Sequence, residues 1–213
     1  MTERWTFGVE PLEQQLELAP LLRRVAGLVQ SLEHDDDSVA WLADELRAAE
    51  RALQGIAPHD LAPRVGDNIN PARRVYLDHS RDIGAFNPAF PEYDLDVDGA
   101  HASGTVTFPL TFEGPPGIVH GGVLATFFDC AIQHHNCEVG VAGKTTSLLL
   151  EYRRPTPLAT PLQFEIHRDV QERRITSRAR LLQGDVVLCE ATMEAVAGNR
   201  SRLPAVSPRR SHP

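Results

Sequence analysis

The stretch GIVHGGVLATFFDCA, residues 117–131, constrains this chain more than any other. A histidine and two glycines stand directly ahead of an apolar run that reads as a buried helix, and one carboxylate, Asp129, is set inside that run. A charge withdrawn from water costs several kcal/mol unless something pairs with it or a function uses it. The segment therefore asks for a fold that covers one apolar helix and for a reason to keep Asp129 within it. The spacing predicts a helix from about 121 to 137, starting at or just after His120, with the amides of Gly121, Gly122 and Val123 pointing out of its positive end. Two glycines leave no side chain to block an approaching oxygen, so the arrangement suits an oxyanion. Taken alone, the tripeptide also suits a tight turn and close packing.

What covers the helix is read from the segments around it. EYDLDVDG alternates and GTVTFPLTFEG is strand-like; after the helix, TTSLLLEYRRP, TPLQFEIHRDV, RRITSRARLLQ and DVVLCEATMEAVAG are strand-like by β-branched content and alternation. Short turns, Gln183-Gly184-Asp185 among them, join them as antiparallel hairpins rather than βαβ crossovers. The expected fold is α+β, with about six antiparallel strands in a curved sheet around one long helix. Ahead of it, Leu22, Val25, Val29 and Leu32 follow a first-turn Pro20. HDDDS then supplies capping oxygens for a second helix that carries Val39, Leu42, Leu46, Ala49 and Leu53 on one face and ends near Gly55. Two helices of this size form a hairpin that needs another surface to pack on. The expected organisation is a helical hairpin at 1–60, an irregular connection rich in Pro, Asn and Asp at 61–87, the α+β domain at 88–198, and a disordered basic tail at 199–213.

Composition narrows the partners. With 213 residues and 42% of them hydrophobic, the chain can bury one good core. A formal net charge of −8 argues against a nucleic-acid binder. No stretch of about 18 consecutive apolar residues suggests a membrane span, and the first residues lack the pattern of a secretory signal. Three cysteines, Cys130, Cys137 and Cys189, make no CxxC pair, and the expected location is the cytoplasm.

Two motifs lead elsewhere and are set aside. GVAGKTTS holds the Gly-Lys-Thr of a phosphate loop, but Glu138 stands where the first glycine belongs, and the order of helix and strand is reversed. Cys130 and His134, one helical turn apart, lie near His135 and Cys137, yet no second pair has zinc-site spacing, so no metal is expected and these read as polar residues at the wet end of a helix. His101, His167 and the alternating Arg174, Thr176, Arg178 and Arg180 read as a solvated strand face.

Asp129 lies eight residues beyond Gly121, about 12 Å along a helix axis at 1.5 Å per residue. One reacting carbonyl cannot touch both. If both serve one site, the carboxylate comes from a second copy of the chain, and the motif predicts a homodimer with two equivalent sites at its interface.

His-Gly-Gly with an aspartate nine positions after the histidine, followed by TTSLLLEYRRPTPLATPL, resembles the hotdog-fold acyl-coenzyme A thioesterases of the phenylacetate-pathway type, over residues 88 to 197. The resemblance implies the hotdog fold, an acyl-coenzyme A thioester as substrate with no separate cofactor, and dimers that pair into tetramers. It implies Asp129 as the catalytic carboxylate, acting as nucleophile or as base toward water. The Gly121 amide would hold the thioester oxygen, with Gly122 beside it, His120 would orient that carbonyl, and Thr145 would position the water or the carboxylate. Arg153 and Arg154, with Pro155 next to them, would contact the substrate at its phosphates. Two departures stand out: Gly114 occupies the place of a polar amide found in some relatives, and the helical segment at 1–55 has no counterpart in the minimal family fold. Rival readings are an enoyl-thioester hydratase, from the Asp129-x4-His134 spacing, and a non-catalytic acyl-coenzyme A binder or scaffold. Five helical residues turn about 500°, which leaves the Asp129 and His134 side chains roughly 140° apart and off a common face.

Overall fold

Alternation of apolar and polar side chains over 101–197 resolves into one antiparallel sheet wrapped on one helix in the computed structural model, which describes residues 11–57, 64–65, 83–140, 143–197 and 207–208. In chain order the elements are α1 (Glu13–Gln30), α2 (Asp37–Gln54), β1 (Arg64–Val65), α3 (Ile83–Phe86), β2 (Asp96–Asp98) and β3 (His101–Thr107), then α4 (Gly121–Glu138), β4 (Gly143–Tyr152), β5 (Pro161–Gln171), β6 (Arg174–Gln183), β7 (Val186–Ala197) and β8 (Ser207–Pro208). Six strands form the sheet in the order β2-β3-β5-β6-β7-β4, every neighbouring pair antiparallel. A helix between β3 and β4 carries the chain from one side of the sheet to the other, so α4 lies across the inner face and β4 becomes an edge. This is the hotdog fold expected from the sequence.

The inner face is built by every second residue, as the strand period requires. Val106, Phe164, Ile166, Ala179, Leu181, Ala191 and Met193 are all buried against α4. Phe127 on the helix is the focus, with Phe90, Tyr93, Phe108, Phe128 and Phe164 at centroid distances of 5.2–6.5 Å. Each fully buried ring contributes about 1.5–3 kcal/mol relative to exposure. The outer face carries charge pairs instead: Arg180 meets Glu165, and Arg153 meets Glu190 and Glu151.

Sequence expectation and structure part at four places. GTVTFPLTFEG is one strand only as far as Thr107; Pro109, which cannot donate to a ladder, is followed by a 3-10 turn at Leu110–Phe112. Pro20 lies inside α1 rather than in its first turn. The two N-terminal helices bury far less than their apolar stripes suggest. In α1 only Ala19 and Arg23 are buried, and in α2 nothing is. Arg23 docks α1, donating to the carbonyls of Gly84 and Asn87 (3.0 Å to Asn87) and pairing with Glu92 at 3.2 Å. The cap of α2 is as read: Asp36 accepts from the Ser38 amide at 2.9 Å, and Gly55 closes the helix.

The fourth correction concerns the end of α4. Gln133, His134, His135, Asn136 and Cys137 are all buried, not a wet helix end. They are accommodated because loop backbone and side chains reach them: His134 Nδ1 is 2.9 Å from the Tyr93 hydroxyl, and His135 Nε2 is 2.9 Å from the Gly99 carbonyl oxygen. The connection at 61–87 and the tail at 199–213 lie largely outside the described residues; within them, β1 and β8 pair in parallel.

Candidate active site

The site is assembled by a tight loop, a helix start and an edge strand. The loop folds Gly114 onto Ile118 (N–H to O, 2.8 Å) and His120 onto Phe112 (2.9 Å). A Cβ on Gly114 would stand 2.8 Å from the His120 Cα, so no side chain fits there without separating the two segments. This explains the departure at position 114 sterically.

His120 remains extended at φ −63°, ψ 131° and caps α4. Its Nδ1 accepts the Gly122 amide at 3.0 Å, while its carbonyl accepts the Val123 amide at 2.9 Å. Two of the three amides expected to face outward are thus used within the cap. Only that of Gly121 has no acceptor among the described residues. Half-exposed and bare of side chain, it is the one donor left at the positive end of an 18-residue helix.

Two turns further along, Asp129 is half-buried between Phe128, which is fully buried, and the partly exposed Cys130. No cation pairs with it among the described residues. Thr145 on β4 holds it instead, its hydroxyl donating to Asp129 Oδ1 at 2.8 Å. That hydroxyl in turn accepts from Gln133 Nε2 at 2.9 Å, and the same amide nitrogen donates to the Gly143 carbonyl at 3.0 Å. Gln133 was not singled out by sequence reading. The available signal was its position four residues after Asp129, on the same helical face.

Thr145 can reach inward because β4 is irregular. The ladder to β7 skips a residue between Thr145 and Ser147, and Thr146 bulges out, its hydroxyl bonding the Glu194 carbonyl at 3.1 Å. Before the bulge Thr145 faces the helix; after it Leu148 and Leu150 do. Gly143-Lys144-Thr145 therefore opens a strand, the opposite of a phosphate loop.

The remaining candidates are more dispersed. Arg153 sits on the outer face between Glu190 (2.6 Å) and Glu151 (3.0 Å), and the Glu190 hydrogen bond foremost raises its pKa. Arg154 is exposed, has no carboxylate partner among the described residues, and donates weakly to the Arg153 carbonyl at 3.3 Å. Pro155 is exposed beside it. Asp129 and His134 diverge as the helical angle requires, toward Thr145 and Tyr93 respectively.

One long helix wrapped by a six-stranded antiparallel sheet defines a protein of the hotdog fold, with a carboxylate and an open helix start on that helix. No protein-family model matches the chain. Its structure is similar to the crystal structure of a thioesterase superfamily protein, with a TM-score of 0.72 and 29% identity over 91% of this chain and 96% of that one. It is also similar to a hypothetical thioesterase from Streptococcus pneumoniae solved with coenzyme A (TM-score 0.49, 20% identity, 52% and 88% covered) and to the PaaI protein of E. coli (0.46, 17%, 49% and 82%). The chain shares the hotdog fold of these thioesterase superfamily proteins. The first match leaves about 19 of 213 residues uncovered (9%), fewer than the 42 residues from Glu13 to Gln54, so most of the N-terminal helical region has a counterpart there.

Proposed function

We propose that the protein hydrolyses an acyl-coenzyme A thioester to the free acid and the thiol, at two equivalent sites formed between two copies of the chain. The observation that supports this best is the half-buried Asp129 carboxylate, held by the Thr145 hydroxyl, itself anchored by the Gln133 amide, rather than by a cation. An ion pair would stabilise it and blunt it. A hydrogen bond from Thr145 orients it and leaves its second oxygen for chemistry. The Gly121 amide, 12 Å or so distant along the same helix, faces the carboxylate of the opposite chain when two α4 helices lie antiparallel.

In this reading the thioester oxygen rests on the Gly121 amide, where the helix end and the single N–H stabilise the charge that develops on it. Asp129 of the second chain attacks the carbonyl carbon or draws a proton from the attacking water. The carbon–sulfur bond then breaks, and the thiolate departs without needing a strong acid. Arg154, with no carboxylate partner among the described residues, is the better placed of the two arginines for a phosphate of the substrate, since Arg153 is committed to two glutamates.

Subunit complementation tests the reading. Asp129→Asn keeps the shape of the carboxylate and removes its charge. Gly121→Pro removes the N–H and adds a ring, at a first helical position where proline is tolerated and behind a residue whose ψ of 131° accepts one. A Cβ at position 121 would meet the Tyr152 hydroxyl at 3.1 Å, a contact that this exposed side chain can relieve by a small shift. Each variant alone is expected to lose at least about 100-fold in turnover. Mixed after unfolding and refolding together, they should recover about a quarter of wild-type activity, because half the dimers are mixed and each holds one intact site. No recovery would refute the shared site, and near-normal turnover in Asp129→Asn would refute the mechanism.

A further inference from the structure

We propose that Tyr152 is a positioning residue that acts through the Gly121–Gly122 peptide to hold His120 in the tautomer with its proton on Nε2. The tautomer itself follows from the cap. A backbone N–H can only donate, so the Gly122 amide at 3.0 Å requires a lone pair on His120 Nδ1, and a neutral ring must then carry its proton on Nε2. The same peptide unit is gripped from its other side: the Tyr152 hydroxyl donates to the Gly121 carbonyl at 3.0 Å. A hydrogen bond at a carbonyl polarises the peptide and strengthens its N–H as a donor, which couples Tyr152 to His120 through one rigid plane.

Both glycines keep these contacts short. A Cβ at Gly121 would lie 3.1 Å from the Tyr152 hydroxyl, and one at Gly122 would lie 3.1 Å from His120 Nδ1. Tyr152 is not placed there for burial, since 57% of it is exposed. It ends β4, the edge strand that also carries Thr145, so one strand positions the carboxylate at one end and the helix cap at the other.

The consequence for chemistry rests on the thioesterase reading. His120 is exposed, and its Nε2–H, on the side of the ring away from the cap, is a donor for the thioester oxygen or the departing sulfur. The opposite tautomer would set two N–H groups against each other at Nδ1 and present a lone pair to a developing oxyanion.

The test is nitrogen-15 NMR of histidine-labelled protein above the histidine titration range, with the His120 signals assigned by their loss in His120→Gln, alongside thiol-release kinetics. Wild type should show Nδ1 unprotonated and Nε2 protonated. In Tyr152→Phe the proton should distribute over both nitrogens, and kcat should fall about 3- to 10-fold with KM within about twofold, the scale of one neutral hydrogen bond. A wild-type proton on Nδ1, or an unshifted tautomer in Tyr152→Phe, would overturn the proposal. A shifted tautomer with unchanged kcat in an active enzyme would do the same. A shifted tautomer in a protein whose wild type hydrolyses no thioester leaves the Tyr152 assignment standing and removes the hydrolase reading.

Discussion

Replacing Thr145 with valine probes the proposed chemistry most sharply, because the change removes one hydroxyl and keeps the branched shape. Thr145 has a single proton, and it goes to Asp129 Oδ1 at 2.8 Å while the oxygen accepts from Gln133 at 2.9 Å. Without the hydroxyl, Gln133 retains its bond to the Gly143 carbonyl, so the helix stays pinned to β4. Asp129 retains its charge but loses what orients it. A hydrogen bond to a charged group contributes about 1.5–3 kcal/mol, and the half-exposed position of Asp129 favours the lower part of that range. At about 1.4 kcal/mol per tenfold, kcat should fall roughly 10- to 30-fold with KM nearly unchanged. Thr145→Ser should recover most of the loss. Thiol release from a panel of short, long, branched and aryl thioesters supplies the assay. The reasoning fails if Thr145→Val turns over within about twofold of wild type, or if it is as inactive as Asp129→Asn.

Two further outcomes concern the scaffold. Arg23→Met leaves the Gly84 and Asn87 carbonyls without their donor and should loosen α1; hydrogen exchange of amides in 13–30 should accelerate about 30-fold, equivalent to about 2 kcal/mol, with the sheet unaffected. Burial holds the pKa of His135 below its ordinary 6.5. Below about pH 6.5 the unfolded chain therefore binds a proton that the folded chain refuses, so stability is lost on acidification from pH 7 toward 5, by up to about 1.4 kcal/mol per pH unit from this group. Urea midpoints at the two pH values should converge in His135→Gln; equal pH dependence in wild type and variant would discount the role of His135.

Much of the fold was legible because one period governs each segment. Alternation marked β5, β6 and β7 almost to their ends, and Asp129 inside an apolar run marked α4. Of the candidate site, Asp129, His120 and Gly121 were legible, because a carboxylate and a helix start are chemically conspicuous in a sequence. Gln133 and Tyr152 were not, since a neutral amide and a phenol have meaning only through partners that folding brings to them. The polar run at 133–137 misled for a related reason: residues that normally face water are buried here because Tyr93, Gly99 and Gly143 arrive from distant segments to receive them. The helical region misled in the opposite direction. Its apolar stripes promised packing, but in the isolated chain Trp41, Leu46 and Leu53 remain about half exposed or more.

The extra residue at Thr146 gives the edge strand two phases. On one side of it the inward positions are Gly143 and Thr145; on the other they are Leu148 and Leu150. A regular strand would force a choice, since a helix-facing threonine and that leucine pair fall on opposite parities. The two halves of this ten-residue strand are thereby set independently, so the apolar half can be redrawn while the hydroxyl beside Asp129 stays where it is. Deleting Thr146 would bring Thr145, Leu148 and Leu150 onto one parity, so the shortened strand should keep both sets inward without a bulge.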